Sequence, residues 1–231
     1  RIMADDARRA AMVADLVHPK WLLMLVRPGL ARDDVPLVLE FVGMLLSTSP
    51  SLAQNWTRLG GFRVLERTLP PHWDVPCVLP WMWTLLLGPH APKSSLYHTF
   101  AHATAVAHPQ ALRVIVQCMA HGMMACRTAP AKRRSSLPHI PAPPPGLTAL
   151  EDSVRLLVVH SHNEDVRALL MLAPTLVAVL RATAPCFVDE PCGPRVCSLC
   201  DALVDMLAAC IAELVLSSHT LTLLHNLHAV A

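Results

Sequence analysis

Cys186, Cys192, Cys197 and Cys200 form the densest cluster of groups able to do chemistry. Cys197 and Cys200 stand three apart, a spacing at which two thiolates converge on one tetrahedral zinc ion. Zinc sites pair such a unit with a second Cys or His pair, and none is well placed. The simpler reading puts Cys197 and Cys200 on the first turns of an apolar helix, as small buried residues. A Cys186–Cys192 disulfide is not expected in a reducing cytosol. His98 and His102 stand at i, i+4, which can hold a metal on a helix, but no acid of the HExxH type lies between them. His is also common, at 13 residues. His225 and His228 carry the same discount. No G-x-S-x-G, S-x-x-K or glycine-rich phosphate loop occurs. Trp56, Phe62, Trp73, Trp81 and Trp83 can line a ligand groove, and at this spacing they are better read as core. Arg133-Arg134-Ser135-Ser136 matches a basophilic kinase site, with an unmodified basic linker as the plainer reading of Ser135 and Ser136.

The elements that position these groups read as helices. The chain has 231 residues and a net charge of +2, with 53% hydrophobic and 16% charged residues. This apolar balance predicts helices buried on more than one face. The charge is too even to point to nucleic acid. Gly is scarce while Leu, Ala and Val abound, which favours helix over sheet. No apolar run reaches the roughly 20 residues of a membrane span. The chain starts at Arg1 and stops within an apolar pattern, as expected of a segment of a longer protein.

Pro-marked turns divide the chain. Expected helices cover 2–17, 35–47, 51–59, 62–68, a segment from near Val75, 94–107, 110–126, 149–160, 164–173, 174–183 and 196–216, with a last one from Thr220 capped by Ser218. Asp34 and Asp74 are read as N-caps, each followed two residues later by a Pro. The almost continuous apolar set of 35–47 marks that helix as central. Pro80 inside an apolar run predicts a kink or a later helix start. Thr148 with Glu151 has the form of a capping box, and Asn163 is a further N-cap. Arg127–Gly146 is basic and then Pro-rich, the composition of an extended linker. The organisation expected is therefore a helical repeat region over 1–126, a Pro-rich basic linker over 127–147, and a continuing helical repeat region over 148–231. The Asp-x-Pro start recurs 40 residues apart, at Asp34 and Asp74. That period fits an all-α, armadillo/HEAT-like helical solenoid segment.

Gln54–Gly88 holds four of the five Trp residues and the Gly60-Gly61 pair. Gly61 is expected to need positive φ at a helix end. The run W…GGF.VLER.LP..WDVP…W…LLLG, carried by Trp56, Gly60, Gly61, Phe62, Leu65, Leu69, Pro70, Trp73, Val75, Pro76, Leu86, Leu87 and Gly88, resembles the armadillo-like region of fungal beige-type proteins of the BEACH-domain family. The resemblance covers about residues 41–88. It implies a segment of a large cytoplasmic scaffold, peripheral to endomembranes, acting in vesicle traffic, vacuolar or lysosomal sorting, or autophagy. Partners would be other proteins and adjacent domains of the same chain, with membrane association through the full-length protein. No catalytic, cofactor-binding or metal residue and no cofactor is expected. The alternatives from other classes are a zinc-binding helical domain using the Cys186–Cys200 cluster and an α-helical lipid-binding module.

Overall fold

Proline and small polar residues decide where the helices begin. The computed structural model describes residues 12–13, 15–89, 91, 93–128, 146–183 and 194–228. Among these residues every regular element is helical. Helix α1 (Pro19–Leu25) starts on His18, whose side chain accepts from the Lys20 amide, with Pro19 at the first position. A 3-10 turn at Arg32–Asp34 leads into α2 (Val35–Thr48). The Ser49 hydroxyl accepts from the Leu52 amide and opens α3 (Pro50–Arg58). Then follow α4 (Gly61–Thr68), a 3-10 turn at Pro70–His72, α5 (Val78–Leu87), α6 (Leu96–Phe100) and α7 (Ala111–Thr128). After residues 129–145 come α8 (Leu147–His160), α9 (Glu164–Leu170), α10 (Ala173–Thr183) and α11 (Pro194–His228). The expected linker falls mainly within 129–145, outside the described residues.

Several local expectations need correction. Asp74 caps nothing. It makes a paired salt bridge to Arg32 at 2.7 and 2.8 Å, and the next helix starts only at Val78. Pro80 then lies in the first turn of α5, where its missing N–H has no intrahelical partner to lose. Asp34 occupies the N-cap position of α2 but its side chain makes no capping bond. The Thr148–Glu151 capping box does not form, because α8 begins two residues earlier, with Gly146 at φ 90° as its N-cap. The helix opened by Ser95 stops at Phe100 rather than Ala107. The last helix runs unbroken through Ser217 and Ser218 to His228.

Helices α5 and α7 form the centre. Val78, Leu79, Met82, Trp83, Leu85, Leu86 and Leu87 of α5 are all buried, and so are Leu112, Val114, Ile115, Val116, Met119 and Met123 of α7. Fully burying such a side chain stabilises by roughly 1.5–3 kcal/mol relative to exposure. Helix α2, expected to be central, instead turns Leu37, Phe41 and Met44 outward. Contacts run in two files. In one, α2 packs on α5, α5 on α8 and α8 on α11. In the other, α4 packs on α7 and α7 on α10. Arg167 of α9 and Glu213 of α11 add an ion pair.

Tryptophans seat helices on glycines. A Cβ at Gly43 would collide with the Trp81 indole, one at Gly122 with Trp73, and one at Gly61 with Trp56. Each glycine therefore lets an aromatic ring approach a helix backbone directly. The Gly60-Gly61 turn divides its work. Gly60 takes the left-handed conformation at φ 87°, and Gly61 is ordinary helix. The expectation of positive φ belongs to Gly60.

A buried polar seam joins α5, α6 and α8. The Trp83 Nε1 donates to the Ser153 hydroxyl at 3.0 Å. The Tyr97 amide donates to Asp152, and the His160 Nε2 bonds the Phe100 carbonyl at 3.0 Å. The carbonyl only accepts, so Nε2 carries the proton. Burial pushes the His160 pKa below the ordinary imidazole value, against the smaller pull of the Phe100 bond. Burial depresses His108 likewise. Between the folded and unfolded pKa values the unfolded chain binds more protons, so stability there rises with pH. It is complete above the ordinary imidazole range and declines as pH falls through that range towards the folded value. Thermal unfolding from neutral to mildly acidic pH is expected to show this decline, and His160→Gln to flatten it. A slope unchanged by the substitution would assign the decline elsewhere.

Candidate protein-contact groove

The groups singled out by type and spacing are not assembled into a site. Cys186 and Cys192 lie outside the described residues. Cys197 is disulfide-bonded, and a disulfide sulfur is not the thiolate a zinc site requires. Cys200 is fully buried, with its sulfur 3.8 Å from the Ala182 carbonyl. His98 is on α6 but His102 lies in the turn beyond it, so the expected i, i+4 helical pair does not exist. Among the described residues no three His, Cys, Asp or Glu side chains are placed to hold a metal. Ser135 and Ser136 lie outside the described residues. The side chains of His225 and His228 are likewise outside them.

Trp56, Phe62, Trp73 and Trp83 are core residues. Trp56 and Phe62 meet edge to face with ring centroids 5.0 Å apart. Trp81 differs. It is partly exposed and forms the floor of a groove of about 890 Å³ between α2, α3 and α5. Glu40 on α2, Gln54 on α3 and Gln110 just before α7 line this groove, and all three are exposed. A second hollow of about 400 Å³ adjoins it through Thr57, Pro109 and Gln110. Arg63, Glu66 and Arg113 line that part.

The charges are placed unequally along the groove. Arg113 pairs with Glu66 at 3.1 Å. Burial holds the Glu66 carboxyl above its ordinary range, against the opposing pull of Arg113. Glu40 and Arg63 make no ion pair among the described residues. The main groove thus carries the exposed Glu40 carboxylate and the Arg58 guanidinium, which bonds Asn55, and the adjoining hollow carries the exposed Arg63. A separate hollow of about 610 Å³ between α8 and α11 is bridged by Glu151 and Arg195 at 3.1 Å. Among the described residues no hydroxyl lining these hollows is hydrogen-bonded to a His or a carboxylate; Ser47, Thr57 and Thr84 bond backbone carbonyls instead. What the main groove offers is hydrogen-bonding amides, a partly exposed aromatic ring and charges of both signs.

No residue type or local spacing announces this groove. Glu40, Gln54 and Gln110 belong to three separate segments, and only the packing of α2 against α3 and α5 brings them to one surface. The one usable signal was Gly43, whose place inside a helix of large apolar residues marks a close approach. No family model, curated protein or solved structure matches the chain. Among the described residues no single helix is long and apolar enough to cross a membrane, although two sharply bent helix pairs have the length and composition together.

Proposed function

We propose that this chain is a non-catalytic segment of stacked, armadillo-like helical repeats that scaffolds protein contacts. The observation that carries the reading is the pair of contact files, α2–α5–α8–α11 and α4–α7–α10. Like elements of successive helix triplets meet in this way when repeats stack. Two long-range polar ties support it. Arg32 to Asp74 and Thr68 to the Val26 carbonyl each span 42 residues. A period near 42 accounts for both.

The scaffold belongs, in this reading, to a large beige-like BEACH-domain protein. It would work in vesicle trafficking, vacuolar or lysosomal sorting, or autophagy, in the cytoplasm at endomembrane surfaces. Support for the family is the Trp56–Gly88 run alone. The Cys197 disulfide weighs against a reducing compartment. The full coding sequence tests the family assignment. A PH-like domain followed by a BEACH domain and WD-type repeats is expected downstream. A complete protein without a BEACH domain would overturn that part of the reading.

A further inference from the structure

We propose that the groove floored by Trp81 binds an extended peptide that sets a basic side chain against Glu40 and an acidic one against Arg63. The proposal rests on the scaffold reading and names the site and chemistry of one contact. Three features of the groove argue for it.

The first is the pair of carboxamides. Gln54 and Gln110 are exposed and have no hydrogen-bond partner among the described residues. A primary amide both donates and accepts, so it can satisfy the N–H and C=O of a peptide backbone whatever the side chains are. By contrast, the Thr57 and Thr84 hydroxyls are already engaged with the Ala53 and Pro80 carbonyls. The second feature is the floor. The Nε1 edge of the Trp81 ring abuts the α2 backbone at Gly43, which holds the partly exposed ring in the groove beside polar neighbours. An aromatic face with polar neighbours suits the intervening side chain of an extended segment. The third is charge. Glu40 lines the first hollow and Arg63 the second, while the Arg58 guanidinium in the first is bonded to Asn55. Exposed charges of opposite sign in two adjoining hollows set the direction in which a peptide lies, which is how complementarity confers register. A groove with both signs does not suit a nucleic-acid backbone, which needs a continuous basic track.

A phage library of random ten-residue peptides, panned on the full chain, tests the proposal. Selected peptides are expected to carry a basic and an acidic residue at a constant separation. A synthetic selected peptide is then titrated by fluorescence anisotropy. Glu40→Arg and the Gln54→Ala/Gln110→Ala pair are each expected to weaken binding at least about tenfold, the loss of one charge-assisted contact or of two ordinary hydrogen bonds. Replacing the basic residue of the peptide with Glu is expected to restore affinity for the Glu40→Arg protein. All the substituted side chains are exposed, and unchanged circular dichroism confirms folding. Peptides bound with affinity indifferent to these variants would overturn the groove assignment while leaving the scaffold reading intact. Selection without a charge register, or binding of phosphatidylserine vesicles in place of peptide, would overturn the peptide assignment itself.

Discussion

Gly61→Ala is expected to destabilise the chain by about 3 kcal/mol, at the upper end of overpacking costs. The methyl group would enter the Trp56 indole. Trp56 is fully buried and held edge-on by Phe62 at 5.0 Å, so the ring has nowhere to retreat. Alanine has the better helix propensity, but the gain is under about 1 kcal/mol and does not offset the collision. Gly60→Ala fails by another mechanism. At φ 87° an L-residue pays roughly 1–2 kcal/mol of backbone strain, while its Cβ meets only the edge of the Arg63 chain. Urea unfolding of the two variants therefore separates the explanations. Gly61→Ala should lose more stability than Gly60→Ala. Trp56→Leu should recover part of the Gly61→Ala loss in a double-mutant cycle. The reverse order would return the conformational requirement to Gly61.

Trp83→Ala is expected to cost about 3–5 kcal/mol, the range for removing a large buried aromatic. Trp83 is fully buried on α5 and lies against the His160 ring of α8. Its loss opens a cavity where α5 meets α8. Trp83→Phe isolates the polar part of the effect. It keeps most of the ring volume but leaves the fully buried Ser153 hydroxyl without its donor. An orphaned buried polar group costs about 1–3 kcal/mol. Ser153→Ala in the Trp83→Phe background should recover much of that loss. If Trp83→Phe matches wild type in chemical denaturation, the hydrogen bond contributes nothing and α5 is held on α8 by apolar contact alone.

Features that depend on neighbouring residues were legible in the sequence. Ser49-Pro50 and Asn163 open helices because a cap acts within one turn, and the Asn163 side chain does accept from Asp165 and Val166. The apolar composition foretold helices buried on several faces, as α5 and α7 are. What failed was decided at long range. Asp74 has the form of a cap but finds Arg32, 42 residues away. The Thr148 capping box lost to Gly146, whose left-handed turn starts α8 against Asp74. Ser218 resembles a helix start, yet the backbone of α11 continues through it. The groove was the least legible feature. Its amides, Gln54 on α3 and Gln110 before α7, are ordinary surface residues until the fold brings them to one groove.

The central claim of the proposed reading is that the described helices form stacked units of about 42 residues. Excising residues 33–74, one such period, tests it most directly. Circular dichroism should show unchanged helix per remaining residue and a single cooperative thermal transition at a lower temperature, because a stacked array survives the loss of one unit. Loss of the cooperative transition, with a broad melt and exposed apolar surface, would contradict the account and mark a single indivisible helical core.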